Sequence, residues 1–280
     1  MAGVSGATTS VKVMCECDGV HDAVAGPAAG AAFSRREVLS ALAGPAVLAP
    51  ASSLVLPDRA AATAAPAATV VPPVELRPGL LVYPRAAWAA GLPARRAIPD
   101  EDDARFLLVH HTATPIYPQS IRRTLRGIYS FHTRTKGWPD ICYQFMVAHN
   151  GTVWEARSGS IERAVQADAT GGNQGFAQLV CMIGNYQVSR PTRASITSLV
   201  RVLAWLAERD GIDTAPGATA TFVSRGSNRW PAGRTVTTST INGHRSMSAT
   251  ACPGRHLLAR LPEIRRAVDA QRRAWSTPTA

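Results

Sequence analysis

Three short segments of this 280-residue chain carry the side chains best suited to chemistry. They are Val109-His110-His111-Thr112, Asn242-Gly243-His244-Arg245 and Thr250-Ala251-Cys252-Pro253-Gly254. Two imidazoles and one thiolate can hold a zinc ion at about 2.0–2.3 Å and leave a fourth position open to water, which a hydrolytic zinc site requires. His110, His244 and Cys252 are the candidate ligands, the last two eight residues apart across small polar residues with no hydrophobic period. Singly, a histidine at a strand end is more often hydrogen-bonded structure, and a cysteine more often a small core residue. Spacing alone leaves both readings open. No His-Glu-x-x-His occurs, which excludes the helix-borne zinc-protease pattern. His111 alternates to the other face of its strand and reads as structural.

These residues must be positioned by regular elements. The apolar run Phe106 to His110 suits a buried strand, and Ile121, Leu125, Ile128 and Phe131 recur at helical spacing, which together suggest an α/β layout. Ile141–Ala148 and Thr152–Ala156 flank Asn150-Gly151, the dipeptide that most readily supplies the positive φ angles of a two-residue hairpin turn. Gln178–Ile183 is a further strand candidate. Ile196, Leu199, Val200, Leu203 and Leu206 line one face of a helix stopped by Gly211, and Thr235–Ile241 is rich in β-formers. From Arg255 a last helix turns Leu258, Leu261, Ile264 and Val268 inward, with Pro262 opening its longer part. Pro216–Arg234, dense in Gly, Ser, Asn and Arg, reads as a surface excursion near the site that could be deleted without loss of folding.

Composition bounds the rest. Residues 34–56 run from Ser34-Arg35-Arg36 into a short apolar stretch broken by Gly44, Pro45 and Pro50 and followed by Ala60-Ala61-Ala62. This resembles a cleaved twin-arginine export signal rather than a stable membrane anchor, and places the mature chain in the secreted or cell-wall compartment. The expected organisation is an extension and signal over 1–62, an Ala/Pro linker over 63–81, one folded domain over 82–275 and a tail over 276–280. Cys15 and Cys17 fall in the part that is removed. After Ala62 there are 26 basic and 14 acidic residues, a balance of +12 that calls for an anionic partner. Arginine makes up 28 of the 30 basic residues of the whole chain, a bias that a GC-rich genome also produces. Nucleic acid is disfavoured, because no clustered basic run or aromatic-interleaved basic motif is present.

Seven pieces in series, from Arg85 to about Leu261, resemble the family of peptidoglycan recognition proteins and type 2 N-acetylmuramoyl-L-alanine amidases. They are Arg85-Ala86-Ala87-Trp88, Val109-His110-His111-Thr112, Gly137 to Phe145, Asn150 to Arg157, Gly184-Asn185-Tyr186, Gly243-His244-Arg245 and Cys252-Pro253-Gly254. The resemblance implies a single α/β domain with a central mixed sheet flanked by helices and zinc in a surface groove. It implies that His110, His244 and Cys252 bind Zn2+ and that Tyr143 faces the metal as a catalytic group, with Thr250 at a second catalytic position two residues before the cysteine. The implied reaction is hydrolysis of the amide between the lactyl group of N-acetylmuramic acid and L-alanine. Members lacking the cysteine bind peptidoglycan without cutting it, so Cys252 separates the enzyme reading from that of a non-catalytic binder. His132, Lys136, Gly137, Trp138 and Asp168 map to substrate-contacting positions, and Gly137-Trp138 matches the pair associated with diaminopimelate-type stems. His132 and Lys136 equally suit a solvated helix end, and Trp138 plain packing.

Three departures from the family pattern stand out. Ser246 replaces the Asp that usually follows Gly-His-Arg, which removes a carboxylate from the outer hydrogen bonding of the metal site. Asp168 stands in Gln166-Ala167-Asp168-Ala169, where many members have histidine, so ligand preference is expected to differ. Cys142 and Cys181 lie on separate expected strands and read as two buried thiols rather than a disulfide.

Overall fold

The computed structural model describes residues 71–101, 103–116, 121–172 and 175–277. The expected signal with Arg35-Arg36, Cys15, Cys17, linker residues 63–70 and the last three residues of the tail lie outside the described residues.

A seven-stranded mixed sheet is built from β1 (Val74–Arg77), β2 (Leu80–Tyr83), β3 (Phe106–His111), β4 (Phe145–Val147), β5 (Val153–Glu155), β6 (Ala177–Met182) and β9 (Ile241–Gly243), in the order β1-β2-β5-β4-β6-β3-β9. β3 lies parallel between β6 and β9, and all six of its residues are buried. A strand covered on both faces reads as a continuous apolar run, as this one does up to His110. A separate two-stranded antiparallel ribbon joins β7 (Thr219–Val223) to β8 (Thr235–Ser239).

The helices are α1 (Ile121–Ser130), α2 (Arg193–Arg209), the short α3 (Arg255–Leu258) and α4 (Leu261–Ser276). One face of the sheet packs Leu107, Val109 and Val180 against α2 and α4. The other buries Phe106, Leu108, Cys181 and Met146 with Leu125 and Ile128 of α1. Helix α2 starts where the Thr192 side chain accepts from the Ser195 amide, and ends at Gly211, whose φ of +67° lets Ile212 N–H reach Ala207 C=O. No helix of the described residues is long and apolar enough to cross a membrane.

Four expectations are corrected. The domain does not begin near Val82: β1 and the first half of β2 fall in the stretch read as linker, anchored by the Arg77–Glu208 ion pair to α2 and by Gly79 N–H on Glu75 Oε1 at 2.7 Å. At the other end α4 runs through Ser276. The hairpin between β4 and β5 turns on three residues, with only Gly151 at positive φ and Asn150 Oδ1 accepting from Thr152 N–H at 3.1 Å. Finally, Pro216–Arg234 is not dispensable surface. It contains β7, whose Phe222 is 1% exposed and packs its ring 5.3 Å from Phe106, so deleting it would strip one end of the core.

Candidate metal centre

Each candidate ligand sits at the end of an element whose place the backbone determines. His110 is the last but one residue of β3, and the pleat turns its side chain toward α1's face of the sheet while His111, which closes the strand, turns the other way. His244 follows Gly243 at the end of β9, and Cys252 lies in the loop before α3. The two glycines of these segments permit the approach. A Cβ on Gly243 would meet Pro253 Cδ at 2.6 Å, and one on Gly254, at φ +87°, would meet the Tyr186 backbone at 2.4 Å. Arg245 N–H donates to Cys252 C=O at 2.9 Å and ties the two loops together.

The result is a buried cluster. His110, His244 and Cys252 are at most 3% exposed, and one potential ligand atom from each lies within 4.8 Å of the others. His110 Nδ1 is 3.6 Å from Cys252 Sγ, and the two imidazole rings are 4.5 Å apart. Nitrogen and sulfur ligands of one tetrahedral zinc would stand about 3.5 Å apart. Burial pushes His110 well below its ordinary value, with His244 and His111 adding to the effect, and pushes His244 to about 4. Both rings are therefore neutral near pH 7, the form that ligates a metal. His110 Nε2 and His244 Nδ1 are buried without a protein hydrogen-bond partner. Such orphaned groups each cost about 1–3 kcal/mol unless something else satisfies them. The donor set, its spacing, with His110 Nδ1 turned to Cys252 Sγ, and the unpartnered Nδ1 of His244 fit a divalent metal of zinc type.

Comparison with known proteins identifies the family. The profile of the N-acetylmuramoyl-L-alanine amidase family, Amidase_2, matches residues 100–255, more than half of the chain. The chain belongs to this family. Human N-acetylmuramoyl-L-alanine amidase is 31% identical over 182 residues, covering 62% of this chain and 26% of the human protein. Peptidoglycan-recognition protein SC2 of Drosophila melanogaster is 27% identical over 154 residues, covering 54% and 69%. The fold matches peptidoglycan recognition protein-LE, solved in complex with tracheal cytotoxin, a monomeric diaminopimelic acid-type peptidoglycan. That match has a TM-score of 0.50 at 22% identity over 64% of this chain and 91% of the other. This amidase-family chain spans about a quarter of the length of the mammalian amidases it matches.

Around the cluster, the remaining residues of the amidase-family pattern take definite positions. Tyr143 is 1% exposed, with its ring 5.0 Å from that of His110. Thr250 Oγ1 accepts from Cys252 N–H at 3.2 Å, and His111 N–H points at Cys252 Sγ at 3.5 Å, so the thiolate position is braced from two sides. His111 itself accepts from Tyr186 N–H through Nδ1 at 3.1 Å, and burial holds it at about 4, which confirms its structural reading. His132 is fully buried on a π-helical turn (Phe131–Thr135), with Nδ1 accepting from Cys142 N–H and its ring 5.0 Å from Trp138. It is not at a solvated helix end. Lys136 is half-buried with Nζ over the Phe131 ring, Gly137 is exposed at φ +69° with its carbonyl on Arg96, and Trp138 is half-buried. Cys142 and Cys181 are both buried thiols.

Some functional neighbours escaped sequence reasoning. Arg157 is 1% exposed and donates to Asp168 Oδ2 at 2.6 Å and to Ile141 C=O at 2.9 Å. Asp168 is thus not a bare carboxylate beside the site. Opposite Ser246, Arg265 of α4 donates to Ile241 C=O at 2.8 Å and to Asn242 Oδ1 at 3.2 Å, and so braces β9 just before His244. Both residues stood out in the sequence, Arg157 in the Asn150 to Arg157 motif and Asp168 as a departure from the family pattern, but nothing in it signalled that they pair.

Proposed function

We propose that this chain is an exported, zinc-dependent N-acetylmuramoyl-L-alanine amidase that cuts bacterial peptidoglycan between the lactyl group of N-acetylmuramic acid and L-alanine of the stem peptide. The observation that supports it best is the His110–His244–Cys252 cluster, two imidazoles and one thiol whose ligand atoms lie within 4.8 Å in a chain of the amidase family. Bound there, zinc would supply a Lewis acid and lower the pKa of a water from 15.7 toward about 7.

The protein's own groups have separable roles in this reading. His110, His244 and Cys252 hold the ion, with Thr250 and the His111 amide fixing the sulfur. Tyr143, packed against His110, donates to the oxygen that gains charge as the amide carbonyl is attacked. Water adds across the C–N bond to give a lactyl carboxylate and the free amine of L-alanine. Lys136, Gly137 and Trp138 border the stem peptide, and the Gly-Trp pair favours diaminopimelate-type stems. Asp168, paired with Arg157, lines the same region.

The test is wild-type chain on purified sacculi: release of free L-alanine amines, with about one zinc per chain and loss of rate on chelation, is expected. Sacculus binding without amine release would replace this reading with that of a non-catalytic binder. Export is proposed from Arg35-Arg36 and the apolar run behind them. Fractionation of cells expressing Arg35→Lys/Arg36→Lys should find the chain retained inside; undiminished export would refute the twin-arginine route.

A further inference from the structure

The ribbon β7–β8 and the metal loops share an unusual charge pattern. Residues 214–262 contain six arginines and no Asp, Glu or Lys, and so carry half of the +12 balance of the chain after Ala62. That stretch includes His244 and Cys252. The segment joining the two strands is fastened to the residues between these ligands. Trp230 Nε1 donates to Ser246 C=O at 2.8 Å, and Ser227 Oγ to Met247 C=O at 2.8 Å. Asn228 Oδ1 accepts from Ala249 N–H at 2.7 Å. Three such bonds hold the segment as part of the site's rim rather than as a loose loop.

Arg229, Arg234 and Arg245 are exposed here, and none of them takes part in an ion pair among the described residues. Arg229 and Arg234 both lie against the Trp230 ring, at 5.1 and 5.7 Å from its centroid, so two guanidiniums flank the side chain that is bonded to Ser246. Like charges brought together without a carboxylate are unfavourable alone and favourable to an incoming anion. Guanidinium pairs its donors with carboxylate or phosphate oxygens. The ring they flank has its Nε1 engaged by Ser246 C=O.

We infer that this segment, centred on Arg229 and Arg234, is a second binding surface for the anionic groups of a wall polymer, carboxylate or phosphodiester, lying beyond the bond that is cut. The inference rests on the amidase reading for the identity of the polymer. It makes polymeric wall material a better ligand than a single muramyl-peptide fragment.

The experiment compares wild type, Arg229→Gln/Arg234→Gln and Arg229→Lys/Arg234→Lys for binding to sacculi and for hydrolysis of a soluble muramyl-peptide fragment. Exposed charge contacts are individually weak, so about a fivefold loss of sacculus affinity is expected for the Gln pair at low salt. The loss should vanish at about 0.5 M salt, where screening is nearly complete. The Lys pair, which keeps the charge but not the paired donors, should bind more tightly than the Gln pair and no tighter than wild type, and fragment hydrolysis should be unchanged in both. Sacculi stripped of phosphodiester-linked polymers by acid identify the source: a persisting difference assigns stem carboxylates, a lost one assigns phosphodiesters. Equal binding of the Gln pair and wild type at low salt overturns the inference. So does a Lys pair as weak as the Gln pair, or a difference seen only on a duplex DNA probe. Absence of hydrolysis by wild type, with the charge effect intact, would instead overturn the amidase reading alone.

Discussion

Cys252→Ser is expected to abolish amide hydrolysis and to lower bound zinc well below one per chain, while sacculus binding stays near wild type. A neutral hydroxyl is a far poorer zinc ligand than a thiolate, and a site left with His110 and His244 has lost its anionic donor. The surroundings sharpen the expectation. Cys252 is 2% exposed and its sulfur is met by the His111 amide, so the replacement oxygen, on a shorter bond, sits further from both imidazoles in a pocket that cannot collapse around it. Folding should be spared, because the loop is held by backbone bonds that the substitution leaves alone, Arg245 N–H on Cys252 C=O and Cys252 N–H on Thr250 Oγ1. Proposed contacts to the wall, around Trp138 and the arginines of 225–245, are likewise untouched. Metal content, sacculus pull-down and amine release measure the three parts separately. Full rate with stoichiometric zinc would remove the cluster from the mechanism.

Much of this site was legible because its residues report backbone constraints as well as chemistry. Gly243 precedes His244 where a Cβ would strike Pro253, and Gly254 follows the Cys-Pro pair at a positive φ against Tyr186. Each glycine is therefore tied to the same close approach that brings the ligands together. β3 and α2 were equally plain, one a buried central strand without polar interruption and the other a long helix with its stop signal at Gly211.

Elements whose signal lies in distant partners were not legible. β1 alternates poorly, mostly exposed along Val74–Arg77, and is held by Glu208 and Leu80–Val82 rather than by an apolar face of its own. β7 buries one large side chain, Phe222, whose partners Phe106 and Phe176 come from other strands or their approaches, so a Gly- and Ser-rich segment concealed a structural ribbon. Ile141–Gln144 looked like strand and is bent instead. Gln144 spends its side chain on Leu179 N–H and Val165 C=O, while Arg157 takes the Ile141 carbonyl. Hydrophobic period cannot register such side-chain-to-backbone bonds.

That same bend gives Tyr143 its place, and Tyr143→Phe is expected to lower kcat about 10²- to 10³-fold while zinc content and sacculus binding remain unchanged. The substitution removes one donor and no ligand. It leaves the ring in its packing beside His110 and His132, at centroid distances of 5.0 and 5.8 Å. Residues on either side are fixed independently: Asp140 by Arg85 and by the amides of Ile141 and Ser158, Gln144 by its two backbone contacts. The phenol is thus carried on rigid backbone next to the metal cluster, where a donor aimed at developing charge is worth most. A group that acts only in the transition state lowers kcat and kcat/KM together and leaves KM near its original value, whereas loss of a substrate contact raises KM. Hydrolysis of a soluble muramyl-peptide fragment, followed to saturation, separates the two. A wild-type kcat would reduce Tyr143 to a packing aromatic, and loss of zinc would make it a support of the metal cluster instead of a donor to the reacting carbonyl.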